Sequence, residues 1–342
     1  MSAFRVAGVG AGYFSQFHLQ GWRDLPQVEL AAWCDRDPGK LQGFARENSF
    51  SDLDQMLERV KPDLLDIVTP PETHLEIVRI AAARGVPMIC QKALAPSYEE
   101  ARQVVSTAQA AGTPLVVHEN FRWTPWHREA KRLISAGTIG ALHSVSFRLR
   151  PGDGQGELAY LDRQPYFRKM PRLLVYETAI HWIDTFRYLM GEVTAVFSWL
   201  RRINPAIVGE DAGYIVFEFD GGPTGLFDGN RLNDHVAANP RRTMGEMWLE
   251  GANGVLRLDG EARLWWKPHQ EPEMEHRYDS GPADAFGGGA CRALQSHVVD
   301  HFLSNKPLEN TGRDYLANLR VQEAIYLSNA QGRKIAMAEL PA

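Results

Sequence analysis

The first third of the chain alternates short apolar runs with segments of helical periodicity. The apolar runs predict buried strands over residues 4–9, 28–34, 64–68, 87–90 and 115–118. The segments between them predict helices over residues 15–25, 38–47, 52–60, 74–84 and 97–111. Strands that alternate with helices in this way indicate a parallel sheet covered by helices on both faces.

Two helix-end signals support this assignment. Ser97 is followed three residues later by Glu100, a spacing typical of a capping box at a helix start. Gly85 follows the predicted helix 74–84, where a glycine can supply the left-handed residue that ends a helix.

The pattern changes after residue 120. Val145, Phe147 and Leu149 alternate with polar residues, which predicts a strand with one wet face. Further strands are predicted over residues 193–200, 212–219, 225–230, 244–250, 255–258 and 262–267, and helices over 126–136, 176–190 and 314–331. We therefore expect an α/β domain over residues 1–120 and, over 121–342, an α+β domain with a large, mostly antiparallel open sheet. The polar segment 151–171 has no predicted element, and loops of that length tend to be functional or disordered.

Composition narrows the classes of function. The chain has 342 residues, of which 44% are hydrophobic and 23% charged, and this is ordinary for a globular protein of two domains. The formal net charge of −5 argues against a sequence-independent nucleic-acid binder. We expect no membrane span and no signal peptide, since no long apolar run occurs. The three cysteines are far apart, so we expect no disulfide framework and a cytoplasmic location.

A glycine-rich turn follows the first predicted strand. Gly10 and Gly12 open the segment 10–15, directly before a predicted helix, which is the context that a dinucleotide-binding turn requires. Ser15 stands where the third glycine is usual, and Tyr13 and Phe14 are expected beside the cofactor. An ordinary strand-to-helix turn would give the same pattern.

Asp35 lies at the end of the second predicted strand. A carboxylate there can accept hydrogen bonds from the ribose hydroxyls of adenosine and repel a 2′-phosphate, which favours NAD over NADP. The neighbouring Arg36 could instead meet a phosphate or stack on adenine. The alternative is an exposed turn over residues 35–38.

Two further loops follow predicted parallel strands at the carboxyl edge, where ligands bind in such sheets. The first carries Thr69, Pro70 and His74, with Thr73 able to cap the next helix. The second carries Gln91 and Lys92. A lysine at this position lies near the expected nicotinamide and is suited to proton transfer or to polarising a hydroxyl group. A surface lysine that reaches into water is the alternative.

Glu177 and His181 are four residues apart in a predicted helix and so share one face. A carboxylate beside an imidazole can set its tautomer and keep it basic. The spacing also matches half of a metal site, but no second cluster supplies further ligands, so we expect no metal. A helix-surface pair is the alternative.

In this order, these segments resemble the Gfo/Idh/MocA family of oxidoreductases, named after glucose–fructose oxidoreductase, inositol dehydrogenase and MocA, over nearly the whole chain. The matching segments are residues 10–15, 69–74, 91–93, 120–122 and 177–181. The resemblance implies a Rossmann domain that binds NAD or NADP, and a second domain whose sheet packs against another subunit in a homodimer or homotetramer. It also implies that Lys92 and His181 act on a substrate hydroxyl, supported by Glu177 and, from the same helix, Asp184.

Three residues depart from the family pattern. Gln91 replaces the usual Glu, Glu177 replaces the usual Asp, and Ala93 replaces the usual Pro. The Lys-Pro bond of the family is often cis. We expect the Lys92–Ala93 bond to be either trans, with Lys92 displaced, or cis and held by its surroundings.

The resemblance implies a dehydrogenase that oxidises a hydroxyl of a sugar, with aldose to lactone favoured, or of a cyclitol. His181 would take the hydroxyl proton and Lys92 would stabilise the developing charge, with both side chains meeting over one nicotinamide ring. The residues expected to bind the substrate hydroxyls besides these two are Asn120, Arg122, Arg163, Tyr166 and Arg168. The alternatives are an NAD-dependent glycosidase of the same family and a non-catalytic sugar or cofactor sensor.

Overall fold

The protein is described by a computed structural model that covers residues 3–44 and 46–341. The described strands are β1 (Phe4–Val9), β2 (Val28–Cys34), β3 (Ser49–Phe50), β4 (Leu64–Ile67), β5 (Met88–Gln91), β6 (Leu115–His118), β7 (Leu142–Leu149), β8 (Val193–Arg201), β9 (Ala212–Phe219), β10 (Thr224–Asn230), β11 (Gly245–Gly251), β12 (Gly254–Leu258), β13 (Leu264–Pro268), β14 (Met274–His276) and β15 (Ile335–Ala336). The α-helices are α1 (Ser15–Arg23), α2 (Leu53–Val60), α3 (His74–Ala83), α4 (Tyr98–Ala110), α5 (Pro125–Ser135), α6 (Ile180–Met190), α7 (Ala290–Ser304) and α8 (Gly312–Gln331).

The chain divides into two compact units. The first unit contains residues 1–120 and 289–317, and the second contains residues 121–288 and 318–342. The first unit is built on a parallel sheet with the strand order β3-β2-β1-β4-β5-β6. The order reverses between β1 and β4, and in sheets of this kind a ligand binds at the carboxyl ends of the strands at that point.

In the first unit, apolar runs form the buried strands, and the predicted helix-end residues lie at helix ends. Every residue of β4, β5 and β6 is buried, as expected for parallel strands covered on both faces. The Ser97 hydroxyl accepts a hydrogen bond from the Glu100 backbone N–H and donates one to the Glu100 carboxylate, so the predicted cap is confirmed. Gly85 has a φ of +66° just beyond α3, which confirms its predicted place at the helix end.

The second unit is built on a sheet with the strand order β14-β13-β12-β11-β7-β10-β9-β8-β15. Its described pairs are antiparallel except for β7 with β10, so the predicted mostly antiparallel sheet is confirmed. α6 lies against this sheet through Trp182, whose ring centroid is 4.4 Å from that of Phe147 and 5.6 Å from that of Phe227. The same helix carries His181.

The predicted division at residue 120 differs from the structure at residues 289–317. Helix α7 was absent from the sequence prediction, and it belongs to the first unit. Its Gln295 amide donates to the backbone carbonyl of His18 in α1, and beyond it the ring of Phe302 stacks on Phe4 in β1 at 5.7 Å. These contacts explain why the chain returns to the first unit after the second sheet is complete.

Two predicted helices have a different form. The helix predicted over residues 38–47 is replaced by two 3₁₀ segments, Pro38–Leu41 and Arg46–Asn48, and Ala45 lies outside the described residues. Gly39 and Gly43 disfavour a continuous helix there. The helix predicted over 176–190 begins instead with a π-helical turn, Leu174–Ala179, which leads into α6.

Two features of composition recur in the structure. Cys34, Cys90 and Cys291 are buried and free of disulfides. Within residues 3–44 and 46–341, no helix combines the length and apolar character needed to cross a membrane.

Candidate active site

The turn after β1 leaves open space at the start of α1. Gly10 has a φ of +100°, and a Cβ atom there would lie 2.7 Å from the carbonyl group of Val68. At Gly12, by contrast, a Cβ would have no atom within 4 Å. No side chain caps α1, and no acidic residue lies in its first turn. A helix start beside an open glycine is suited to bind a pyrophosphate, because the helix dipole favours negative charge there.

The aromatic residues of this turn have different environments. Tyr13 is 47% exposed, and its ring meets Phe17 edge-on at 5.9 Å. Phe14 packs on Phe17 and His18, at 5.1 Å and 5.7 Å between ring centroids. Tyr13 is therefore accessible to a ligand, whereas Phe14 contributes to the packing of α1.

Asp35 joins the end of β2 to the glycine-rich turn. Its carboxylate accepts a hydrogen bond from the backbone N–H of Ala11 at 2.7 Å and another from Asp37 at 2.9 Å. An ionised carboxylate has further lone pairs, so the ribose hydroxyls of an adenosine can still bind it. The Arg36 side chain is 84% exposed, and its Nη2 lies 3.9 Å from a carboxylate oxygen of Glu76.

The loop after β4 is held by His74. The ring of His74 is fully buried, with Nδ1 3.0 Å from the carbonyl oxygen of Leu94 and Nε2 2.9 Å from that of Thr69. Burial lowers the pKa of His74. Both ring nitrogens face backbone oxygens, so His74 positions the two loops, and its contact with the cofactor stays a prediction.

The rest of this loop stays available. The Thr73 hydroxyl donates a hydrogen bond to Thr69 Oγ1 or to the carbonyl oxygen of Pro70, at 2.7 and 2.8 Å. It makes no capping hydrogen bond to α3, so the predicted cap is wrong. Thr69 is nevertheless next to the glycine-rich turn, since its Cγ2 lies 2.8 Å from where a Cβ on Gly10 would be.

Lys92 follows β5 at the same edge of the sheet. The Lys92–Ala93 peptide bond is cis, which is one of the two expected states. The Gln91 side-chain oxygen accepts a hydrogen bond from the Lys92 backbone N–H at 2.8 Å, so Gln91 holds the turn that presents Lys92. Lys92 itself is only partly buried.

The side chain of Asn120, whose contact with substrate stays a prediction, is engaged inside the first unit. Its side chain is 3% exposed, and the amide donates to Cys291 Sγ of α7 at 3.2 Å. Burial raises the pKa of Cys291 to about 12. The amide of Asn120 thus ties β6 to α7 inside the first unit.

In the second unit, His181 lies near the start of α6. Its side chain is 8% exposed, and its ring stacks on Phe121 with 4.0 Å between the centroids and 9° between the planes. The stacking fixes the plane of the imidazole, which a base that takes a proton in a defined direction requires.

Glu177 lies in the π-helical turn that precedes α6. The turn spans Leu174–Ala179, so the backbone between Glu177 and His181 is not the regular α-helix that the spacing predicts. Single π-helical turns within helices occur frequently at functional sites. Desolvation and, after it, the negative charge of Glu177 raise the pKa of Tyr166 to about 12.

Arg122 was expected to bind substrate, but its guanidinium is engaged inside the second unit. Nε and Nη2 donate to the two carboxylate oxygens of Asp184 at 2.7 and 2.5 Å. The amide of Asn318 also donates to Asp184 at 2.7 Å. Two donors of Arg122 are thus engaged by a carboxylate of α6, and a substrate contact of this residue stays a prediction. The sequence could not reveal a partner 62 positions away.

The segment 151–171 contributes three candidate substrate contacts. Arg163 donates to Asp153 at 3.0 Å, and Arg168 donates to the carbonyl of Glu157 at 2.8 Å. Tyr166 is 54% exposed, with its hydroxyl accepting a hydrogen bond from Gln164. Each of these polar groups is fixed by a neighbour in the segment.

Sequence reasoning missed Arg231, which follows β10. Its side chain is 2% exposed and donates to Asp153, Tyr160 and Thr178. The one signal in the sequence is an arginine at the end of a buried strand, and this is too common to point to a site.

No group of three or more potential metal-ligating side chains comes together within the part of the chain that the structure describes. The residues at the start of α1 do fit a dinucleotide, given the open space at Gly12 and the uncapped helix start.

Comparison with known proteins agrees with this architecture. Residues 4–119 match the family profile of the GFO/IDH/MocA oxidoreductases, described as having an NAD-binding Rossmann fold. Residues 127–257 match the profile of the GFO/IDH/MocA C-terminal domain. The chain belongs to the Gfo/Idh/MocA family of oxidoreductases, and its first unit contains an NAD-binding Rossmann domain.

Individual relatives match over almost their whole length. The chain is 33% identical to a D-apiose dehydrogenase of Paraburkholderia graminis, covering 99% of this chain and 91% of the relative. It is 29% identical to a D-apiose dehydrogenase of Rhizobium rhizogenes, covering 98% of each. A solved oxidoreductase from Agrobacterium radiobacter, in complex with NAD⁺, L-tartaric acid and magnesium, has a TM-score of 0.89 at 29% identity, covering 98% of this chain and 99% of that one.

Proposed function

We propose that this oxidoreductase oxidises a hydroxyl group of a sugar, with an aldose oxidised to a lactone as the favoured reaction, or of a cyclitol. The observation that carries the proposal is the likeness along 99% of the chain to a D-apiose dehydrogenase. It is supported by the retention of Lys92 and His181, since a non-catalytic sensor has no need of both.

In this proposal, His181 is the general base. Its imidazole takes the proton of the substrate hydroxyl, and the stacked ring of Phe121 holds it in one plane during the transfer. Glu177 stabilises the imidazolium that results.

Lys92 acts on the same hydroxyl oxygen. Its ammonium donates a hydrogen bond that stabilises the negative charge developing on that oxygen as the proton leaves. When bound, NAD supplies the acceptor for the hydride from the carbon. Arg163, Tyr166 and Arg168 bind the other hydroxyl groups and so orient that carbon.

The substrate is tested by incubating the protein with NAD or NADP and single aldoses and cyclitols, D-apiose among them. We expect NADH to appear, measured by its absorbance, with an aldose as the preferred substrate and NAD as the preferred cofactor. A glycosidase would instead cleave a glycoside without net NADH formation, and a sensor would bind sugar without turnover. Either outcome contradicts the proposal.

The roles of the two side chains are tested with Lys92→Met and His181→Gln. Each variant should lose about 10²–10⁴-fold in kcat, since each removes a group that acts only as the proton leaves. Lys61→Met, which removes an exposed lysine at the end of α2 in the same unit, is the control for Lys92→Met and should stay near the wild-type rate. Near wild-type rates in both site variants would show that these residues are not catalytic.

A further inference from the structure

Arg231 is a buried cation that joins three parts of the second unit. Nε donates to the Tyr160 hydroxyl at 2.8 Å, and Nη2 donates to the Asp153 carboxylate at 2.8 Å. Nη1 donates to the Thr178 hydroxyl. Its Cζ also lies 5.2 Å from the ring centroid of Tyr160 and 5.3 Å from that of Phe167. A guanidinium removed from water in this way is stable only with such partners.

One partner of Arg231 is shared with a candidate substrate contact. Asp153 accepts from Arg231 and also from Nη2 of Arg163, at 3.0 Å. Both guanidinium groups donate to the same oxygen, Asp153 Oδ2, so the position of this carboxylate couples the two arginines. The placement of Arg163 thus depends on Arg231.

Another partner lies beside the proposed catalytic residues. Thr178 follows Glu177 in the π-helical turn and precedes His181 by three positions. The Thr178 hydroxyl is buried, so its bond to Arg231 fixes the rotation of the turn that carries Glu177. The guanidinium of Arg231 therefore contacts both the segment 151–171 and the π-helical turn before α6.

The segment 151–171 is packed around this arginine. Ala159, Tyr160 and Phe167 form a buried cluster with Leu173 and Ile207. Tyr166 meets the ring of Phe167 edge-on at 4.9 Å, so the exposed phenol rests on a ring that itself packs on Arg231.

We propose that Arg231 is a positioning residue for substrate. By binding Asp153, Tyr160 and Thr178 together, it holds Arg163 and Tyr166 at a fixed distance from Glu177, and this presents a preformed surface to the hydroxyl groups of a neutral polyol. The inference rests on the proposed function. Arg231 touches no reacting atom, so its loss weakens substrate binding far more than it slows the chemical step.

The test uses Tyr160→Phe and Arg231→Lys with the best substrate of the screen. Tyr160→Phe removes one hydroxyl partner and keeps the ring, and we expect the KM for the sugar to rise about fivefold. Arg231→Lys keeps the charge but loses the guanidinium that donates to three partners, and we expect the KM for the sugar to rise about 30-fold. In both variants kcat should stay within about threefold of wild type, and the Kd for NADH within about twofold.

Arg150→Lys is the matched control, because Arg150 is also buried and ion-paired in the second unit, with its bonds going to Leu149 and Asp228 of the sheet. It should leave the KM for the sugar near wild type. The proposal is overturned if Arg150→Lys raises KM as much as Arg231→Lys does, or if Tyr160→Phe leaves KM unchanged. Should Arg231→Lys not fold, the Tyr160→Phe result decides.

A second readout separates this inference from the proposed function. If the wild-type protein oxidises no sugar or cyclitol, the proposed function fails, and amide hydrogen exchange of residues 153–170 still tests whether Arg231 holds this segment. Faster exchange in Tyr160→Phe than in Arg150→Lys supports the role of Arg231 in holding the segment, and equal exchange overturns it.

Discussion

At the scale of single residues, two glycines of one turn have different physical roles. Gly10 is required by the backbone, since its φ is +100° and a Cβ would meet the carbonyl of Val68. Gly12 is not required by any neighbour within 4 Å, so its missing side chain benefits only a ligand. The two requirements can be separated experimentally.

We expect Gly12→Ala to fold with a Tm near wild type but to bind NADH at least about tenfold more weakly, because its methyl group occupies the space of the pyrophosphate. Gly10→Ala should lose about 2 kcal/mol or more of unfolding free energy. Thermal unfolding and fluorescence titration with NADH measure the two effects. Unchanged NADH affinity in Gly12→Ala would place the cofactor elsewhere.

A buried histidine makes stability depend on pH. His127 is 2% exposed, with Nδ1 2.8 Å from the carbonyl oxygen of Phe121, and burial lowers its pKa from 6.5 to about 4. The unfolded chain therefore binds this proton more readily than the folded chain does. The contribution of neutral His127 to the free energy of unfolding is complete above pH 6.5 and is lost as the pH falls towards 4.

Between pH 7.5 and pH 5, we expect His127 to account for about 2 kcal/mol of the loss in unfolding free energy. In His127→Gln, which cannot ionise, that part of the loss should disappear from urea unfolding curves. His143→Gln removes an exposed histidine and should keep the wild-type pH dependence. Equal slopes for all three proteins would contradict the assignment.

At the scale of elements, α6 owes its position to an ion pair as well as to apolar packing. Arg122 and Asp184 are paired through two hydrogen bonds, and their side chains are only 14% and 2% exposed. Breaking a buried pair leaves an uncompensated charge. This pair fixes α6, the helix that carries His181.

Asp184→Ala should therefore cost about 3 kcal/mol or more of unfolding free energy. Asp300→Ala makes the same substitution in a pair with Lys306 whose side chains are 35% and 58% exposed, and it should cost less than about 1 kcal/mol. Urea unfolding of both variants gives the comparison. A similar small cost for both would mean that the Arg122 pair does not hold α6.

The sequence predicts elements well where one local signal dominates. β1, β2, β6 and β9 have the predicted bounds, because each is an apolar or alternating run bounded by turn residues. Helix α7 was missed because it follows three glycines, 287–289, which read as the end of ordered structure.

Partners far apart in sequence limit what can be predicted of the site. Lys92 and His181 are predicted from motifs, and the Gly10 turn from its context between strand and helix. Arg122 is bonded to Asp184, and Asn120 is bonded to Cys291. No local sequence pattern connects either residue with its partner. The π-helical turn is equally hidden, since a spacing of four residues reads as regular α-helix.

At the scale of the whole molecule, one sheet face remains apolar at its surface. Phe197, Trp199, Tyr214, Val216 and Leu226 of β8, β9 and β10 are each 39–56% exposed. They are paired across the strands, Trp199 with Tyr214 and Val216 with both Phe197 and Leu226. Contiguous apolar surface of this kind marks an interaction site, and we propose that a second copy of the chain covers it in a homodimer or homotetramer.

Trp199→Glu should lower the molar mass measured by light scattering during gel filtration, because it places a charge in the apolar face. Val236→Glu, at a residue that is 90% exposed and outside this face, should leave the mass unchanged. A monomeric wild-type protein would refute the proposed assembly.

The return of residues 289–317 to the first unit means that this unit is not one continuous stretch of chain. A gene truncated after codon 120 would encode a Rossmann sheet without α7, with His18, Asn120 and Phe4 stripped of their neighbours. A recombination that exchanges residues 1–120 alone would thus separate β1 and α1 from the helix that packs on them. A transplantable nucleotide-binding module has to carry both segments, residues 1–120 and residues 289–317.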